Sequence, residues 1–273
     1  MQFGIHLPHA GEQATPALIR RYALRAEDLG LSDVWVSEHI IVPRASFPRS
    51  PLFYDPVLTL TWVAAVTRRV RLGTSVLVLP MRHPLPLAKE LATLQNLSDG
   101  RLILGAGVGW LEAEFAALGA PFKERGRRMD EGIAMMRAVW SQDPVTFKAK
   151  YILAEIADMT MLPLPATPIP IWIGGSSDAA LQRTVRVAEG WHGSRWTAEQ
   201  ADPIVKRLRA ERPEPGFTIS MRVQWNGLDD GELRDRVAGY AAIGVQHVMI
   251  APQDREVDDW DKVIEGAGRL VAA

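Results

Sequence analysis

The sequence predicts an α/β fold, a (β/α)8 TIM barrel with one insertion between its fourth and fifth strands. Three observations point there. Eight short runs rich in Val, Ile and Leu alternate with longer amphipathic stretches, the joints carry capping residues and glycines, and eight such units within 273 residues match the size of a closed barrel. Strand alternating with helix implies parallel pairing, because parallel neighbours need a crossover between them. An open doubly wound sheet more often has fewer strands and a glycine-rich fingerprint after the first. The first loop here, Pro8-His9-Ala10-Gly11, has no such pattern.

The first strand begins near Phe3, and its helix spans about 16–29, opened by Thr15-Pro16. The second begins near Asp33, with a helix over 56–66 opened by Asp55-Pro56. Both pairs set a capping side chain before a proline at the first helical position. The third strand begins near Val70 with a helix over 84–98, and the fourth near Arg101 with a helix over 127–140. Strands near Ile169, Gly190, Phe217 and Gln246 follow, with helices over 178–189, 199–210, 231–243 and 258–271. Gly30, Gly100, Gly190 and Gly244 stand where a helix gives way to a strand, the usual place for a left-handed residue.

One interval is long. The fourth strand begins near 101 and the fifth near 169, whereas the first two begin near 3 and 33. Residues 1–273 are therefore expected to form one domain with an insertion around 109–168. Its Val145-Thr146-Phe147-Lys148 segment reads as extended chain, and Pro163, Pro165, Pro168 and Pro170 lead back to the barrel. An insertion after a strand end is expected to wall or cover the mouth.

Composition excludes several classes. Lys plus Arg (31) balances Asp plus Glu (32), which argues against a broad nucleic-acid footprint. The runs Arg68, Arg69, Arg71 and Arg125, Arg127, Arg128 read as solvated faces. Without cysteine there is no thiol nucleophile, disulfide, iron–sulfur cluster or Cys-ligated zinc. The start, Met1-Gln2-Phe3-Gly4-Ile5-His6, lacks a signal-peptide pattern, and no apolar run approaches a membrane span. A cytoplasmic protein with no membrane or nucleic-acid partner is expected.

Residues at strand C-termini are the functional candidates of a barrel. His6, His9, His39, His83 and His192 lie on or just after strands, while His247 begins the eighth at the opposite rim. Clustered histidines raise the possibility of a metal-dependent hydrolase. The ends of strands four to seven, however, offer Gly107, Gly174, Ser194 and Trp225 rather than carboxylates, so no metal site is assigned. Glu38-His39 follows Val34-Trp35-Val36-Ser37 and reaches the mouth, where a histidine orients a ring or moves a proton. Leu104-Gly105-Ala106-Gly107-Val108-Gly109-Trp110 lets a planar ligand approach the backbone. Gly174-Gly175-Ser176-Ser177 precedes a helix and offers free amides and hydroxyls to a phosphate. A flat body with a phosphorylated tail describes a flavin.

These segments carry a resemblance. Gly107-Val108-Gly109-Trp110-Leu111-Glu112-Ala113-Glu114-Phe115 resembles the fourth-strand signature of the luciferase-like family, which includes flavin monooxygenases and enzymes using coenzyme F420, a deazaflavin. Ser37-Glu38-His39 resembles its second-strand end. The stretch Pro168-Ile169-Pro170-Ile171-Trp172-Ile173-Gly174-Gly175-Ser176, with Glu189-Gly190-Trp191, resembles its fifth-to-sixth-strand region.

The resemblance implies cofactor contacts at His39, Ser75, Val76, Gly107, Gly109, Gly174, Gly175, Ser176 and Ser177, with a cis Ser75–Val76 peptide beneath the ring. His39 is the expected catalytic residue, and His6, His9, Glu38, Trp110 and Trp196 are the expected substrate pocket. Several deazaflavin reductases of the family carry a glutamate proton donor just after the fourth-strand glycines. Trp110 stands there, with Glu112 out of register, so the donor is unassigned. The expected activity is hydride transfer between F420 and a small organic substrate by a homodimer. The alternatives are an FMN-dependent monooxygenase, the metal-dependent hydrolase, and a barrel that only binds.

Overall fold

A computed structural model describes residues 1–47, 49–152, 154–252 and 257–272. Strands β1 (Gln2–His6), β2 (Asp33–Val36) and β3 (Arg71–Thr74) are followed by a two-residue strand β4 (Leu77–Val78). Then come β5 (Leu102–Gly107), a hairpin of β6 (Val145–Lys148) and β7 (Glu155–Met159), β8 (Ile171–Gly174) and β9 (Gly190–Ser194). Strands β10 (Thr218–Trp225) and β11 (His247–Pro252) complete the series. The parallel order β3-β2-β1-β11-β10-β9-β8-β5 closes on itself through β3–β5 pairing of Leu72 with Leu102 and Gly73 with Ile103. Eight strands thus form a closed barrel, and β4 is a ninth, bonded to β5 outside it. Every barrel strand begins within two residues of the position its sequence pattern marks.

Helices α1 (Pro16–Asp28), α2 (Pro56–Val66) and α3 (Pro84–Leu97) pack outside, followed by α4 (Glu112–Ala117) and α5 (Arg125–Ser141). The rest of the ring is α6 (Asp178–Val187), α7 (Ala198–Glu211), α8 (Asp230–Ala242) and α9 (Val257–Ala272). The caps act as their sequence predicts. Thr15 Oγ1 accepts from the Leu18 amide at 3.2 Å and Asp55 Oδ1 from Leu58 at 2.9 Å, each before a proline at the helix start. Gly30, Gly100 and Gly244 adopt positive φ, as expected of helix C-termini. Gly190 does not share that role. It opens β9, where an added Cβ would lie 2.7 Å from the Thr218 carbonyl oxygen and 2.8 Å from the Trp172 ring.

Strand alternation divides the core in two. Ile5, Val34, Val36, Leu72, Leu102 and Leu104 join the large cluster that includes the helices. Trp35, Ile103, Trp172, Met249 and Ala251 form a separate cluster inside the barrel. The Trp35 ring stacks on His192 at 5.0 Å and 5°. It occupies the place of a Cβ at Gly73, where Trp35 Cδ2 would lie 2.3 Å away. Among the described residues the barrel interior is therefore plugged by aromatic and imidazole rings.

The interval 109–168 has two parts. Residues 109–117 cross the mouth and include α4, whereas α5 packs against α3 as one of the outer helices. The β6–β7 hairpin folds back on α5, where Glu131 Oε2 accepts from the Tyr151 and Ile152 amides at 2.6 and 2.8 Å. Only the first part walls the mouth, and the hairpin is not among the residues lining it.

Candidate active site

A cavity of about 430 Å³ opens at the C-terminal ends of the barrel strands. That is the scale of small-molecule sites, about 300–1,000 Å³. The Ser75-Val76 backbone lies at its floor, and this peptide bond is cis. Gly107, Val108, Gly109 and Trp110 form one wall, Gly174 and Gly175 another, and Ser37, Glu38 and His39 a third, with Arg195 and Arg222 at one end.

The wall glycines are needed by the protein's own chain. A Cβ at Gly107 would sit 2.5 Å from Val76 Cγ2, and one at Gly174 would sit 3.1 Å from Val76 Cγ1. Gly109 adopts a φ of 78°, and its Cβ would meet Val78 and Phe115 at 2.6 and 2.7 Å. Gly107 and Gly174 thus make room for Val76, which enters between two strand ends and contributes to the cavity surface.

His39 reaches the cavity from the end of β2. Its ring lies edge-on to Phe47 and Phe53 at 4.8 and 4.9 Å and to Trp110 at 6.0 Å. Nδ1 donates to Glu114 Oε2 at 2.9 Å, while Glu114 Oε1 accepts the Ile40 and Ile41 amides at 2.6 and 3.2 Å. Burial alone would raise the Glu114 carboxyl, but these donors outweigh it and hold the group below the usual carboxylate range. A carboxylate at Nδ1 leaves Nε2 of the ring to face the cavity as a proton acceptor. Glu114 stands within the fourth-strand motif, where spacing alone assigns it no role. Glu112, in the first turn of α4, is absent from the cavity lining.

Other expected residues divide sharply. Glu38 reaches the cavity wall, but its carboxylate is spent on the Val78 amide and Arg82 Nε, both at 2.5 Å. Burial pushes the Glu38 carboxyl up against the opposing pull of Arg82. It ties the end of β2 to β4 and to the turn that follows. His6 and His9 are buried and are not among the described residues lining this cavity, with His6 Nε2 2.7 Å from Ser37 Oγ and His9 Nε2 2.8 Å from the Ser37 carbonyl oxygen. Trp196 lines a neighbouring cavity of about 630 Å³ that shares Arg195 and Arg222 with this one. Ser176 and Ser177 are outside the lining. Ser177 Oγ caps α6 by accepting from Ala180 at 3.3 Å. His83 caps α3 through the Leu85 amide. Among the described residues no group of three or more His, Asp or Glu side chains is placed to hold a metal ion.

The family model described as luciferase-like monooxygenase matches residues 1–263. This chain belongs to the luciferase-like monooxygenase family. An F420-dependent glucose-6-phosphate dehydrogenase of Amycolatopsis mediterranei is 36% identical over 189 residues, covering 67% of the luciferase-like chain and 54% of the dehydrogenase. The chain thus spans about half the length of that relative. The crystal structure of a monooxygenase from Streptomyces bottropensis aligns with all of it and 81% of that enzyme, at 25% identity and a TM-score of 0.72. An F420-dependent secondary alcohol dehydrogenase, solved with an F420–acetone adduct, shares the fold over 97% of both chains, at 17% identity and a TM-score of 0.80.

In the luciferase-like chain, sequence reasoning missed Phe47, Phe53, Arg195 and Arg222 as cavity residues. Phe47 and Phe53 lie in the long β2–α2 connection, whose irregular chain carries no periodic signal. Arg222 sits inside β10, three residues before its last residue Trp225, where a strand-end rule does not look.

Proposed function

We propose that this protein is an F420-dependent oxidoreductase that moves hydride between the deazaflavin and a small organic substrate. The observation that carries the reading is the cavity itself: a hydride-accepting ring over Val76, between the glycine strand ends, would present its open face toward His39 and Trp110. The residues fit such a ligand. Val76, Val78, Val108 and Leu111 give apolar surface, while Arg195 and Arg222 supply positive charge where the cavity meets its neighbour. An anionic tail would follow that charge, and its phosphate would meet Gly174, Gly175, Ser176 and Ser177 at the start of α6. The 36% identical F420-dependent relative supports the choice of cofactor.

When bound, the deazaflavin supplies a carbon that gives or takes hydride. The protein's part is to exclude water, hold one ring face against Val76 and handle the proton. Hydride transfer to or from a carbon bearing oxygen requires a proton at that oxygen, and His39 Nε2 is the group to give or take it. Glu114 keeps Nδ1 occupied, so Nε2 is the only ring nitrogen left for substrate. We propose the working unit to be a cytoplasmic homodimer. Leu58 and Trp62 on α2 and Leu97 on α3 are exposed large apolar residues suited to a partner surface, and sedimentation in dilute solution tests it.

The second reading, an FMN-dependent monooxygenase, is favoured by the 25% identical monooxygenase that spans the whole chain. Titration of the protein with F420 and with FMN, followed by tryptophan fluorescence, separates the two. Micromolar saturation by F420 with weak FMN binding is expected, and the reverse order overturns the deazaflavin assignment.

A further inference from the structure

A line of five hydrogen-bonded side chains runs down the inside of the barrel from the cavity floor to its closed end. Ser75 Oγ lies 2.9 Å from His192 Nε2, and His192 Nδ1 lies 2.8 Å from Ser220 Oγ. Ser220 Oγ also lies 2.7 Å from His247 Nδ1, and His247 Nε2 lies 2.8 Å from Asp33 Oδ1. Ser75 lines the cavity, whereas Asp33 and His247 are the first residues of β2 and β11 at the opposite rim. All five are buried.

The direction of this line is set from the far end. Trp35 Nε1 donates to Asp33 Oδ1, and Arg71 Nη2 donates to Asp33 Oδ2 at 2.8 Å. Indole and guanidinium groups can only donate, so Asp33 is held as an acceptor at both oxygens. His247 Nε2 must then carry a hydrogen. With both imidazoles neutral, His247 Nδ1 is bare and accepts from Ser220. The Ser220 hydroxyl has one hydrogen, so toward His192 it can only accept, which puts the His192 hydrogen on Nδ1. His192 Nε2 is left bare and accepts from Ser75. With His247 neutral a single direction satisfies every pair, whereas an imidazolium there would donate to Ser220 and reverse every bond up to Ser75.

We propose that Asp33, acting through His247, Ser220 and His192, fixes the Ser75 hydroxyl so that it faces the cavity only as a hydrogen-bond acceptor. A ligand N–H or O–H over the floor would be matched, and a bare ring nitrogen or carbonyl at the same place would be rejected. Ser220, His247 and Asp33 touch no ligand and act as positioning residues for Ser75. That the ligand is the cofactor ring rests on the reading above, but the direction of the line does not. The burial that pushes His192 down to about 3 agrees with a neutral ring there.

The test is the tautomer of each histidine in protein labelled with nitrogen-15 histidine, without cofactor, at neutral pH. Two-bond proton–nitrogen correlations should place the His192 hydrogen on Nδ1 and the His247 hydrogen on Nε2, the signals being assigned by His192→Gln and His247→Gln. Ser220→Ala should move the His192 hydrogen to Nε2, because a bare buried nitrogen tolerates the lost partner better than a buried N–H. Ser75→Ala should leave it on Nδ1. A wild-type His192 protonated on Nε2 overturns the proposal, as does a tautomer that follows Ser75→Ala. The wild-type spectrum decides the matter even if Ser220→Ala does not fold. The cofactor titration can fail while the tautomers stand, so the two readings are separable.

Discussion

His39 and Glu114, 75 residues apart in sequence, form one unit in which the Glu114 carboxylate accepts the His39 Nδ1 hydrogen at 2.9 Å and two backbone amides on its other oxygen. The pair links the end of β2 to α4, so the same carboxylate that orients the imidazole also holds the loop that carries it. A substitution at Glu114 would therefore disturb both the ring and the loop.

His39→Gln and Glu114→Gln should each lower turnover with the cofactor selected by titration on the order of 10²-fold, the lower range for a positioned acid–base group. The double variant should be no slower than the slower single one, because residues acting as a unit are not additive. Glu114→Ala should also destabilise the fold by about 2–3 kcal/mol, since buried donors lose their acceptor. Steady-state kinetics and urea unfolding check both parts. Additive losses in the double variant would separate the two residues.

Gly107→Ala tests the packing of the floor. Its Cβ would press on Val76 Cγ2, and overpacking of this kind costs about 1–3 kcal/mol. Adding Val76→Ala should return part of that loss, giving a favourable coupling energy in a double-mutant cycle. Purely additive costs would mean that Val76 does not fill the space of the missing Cβ.

The barrel was legible in the sequence because its signals are local. Thr15-Pro16 and Asp55-Pro56 announce helices within four residues, and Val34-Trp35-Val36 announces a strand. The strand-end rule likewise located His39, Gly107 and Gly174. It did not foresee the burial of His6 and His9, since a position near a strand end does not say whether the side chain points to the mouth or among buried groups. Both are captured by Ser37, a pairing across about 30 residues that no spacing encodes. Glu114 was hidden for the same reason. Its partner is in a different loop, and only the closed barrel brings α4 over the end of β2.

His192 gives the protein an acid limit. Its ring is fully enclosed and burial pushes it down to about 3, against an ordinary value near 6.5. Between these values the unfolded chain binds a proton that the folded chain does not, so stability rises with pH across that window and levels off above it. The slope for one such group is about 1.4 kcal/mol per pH unit. Urea unfolding at pH 4.5, 5.5 and 7.5 should show it, and His192→Gln should flatten that share of the slope. An unchanged slope in the variant would assign the acid sensitivity elsewhere.

The seat for an anionic group at the start of α6 is tested by comparing two substitutions at Gly175. This residue holds a φ of 104°, and a Cβ there would lie 3.3 Å from Ala180 Cβ, so any side chain brings backbone strain. Gly175→Ala measures that strain alone. Gly175→Asp adds to it a negative charge beside the amides that would receive a phosphate. Asp178 already places one carboxylate in the first turn, but Arg207 Nη1 and Gln182 Nε2 engage it at 2.7 Å and turn it away from a ligand. The new carboxylate would have no such partner. At a separation of about 5 Å near a protein surface, charge repulsion is worth on the order of 3 kcal/mol before screening. A loss of cofactor affinity of on the order of tenfold beyond Gly175→Ala is therefore expected, shrinking as salt is raised. Fluorescence titration at low and high ionic strength reads both numbers. Equal affinities for the two variants would show that the phosphate is held elsewhere, with Arg195 and Arg222 the charged groups left at that end of the cavity.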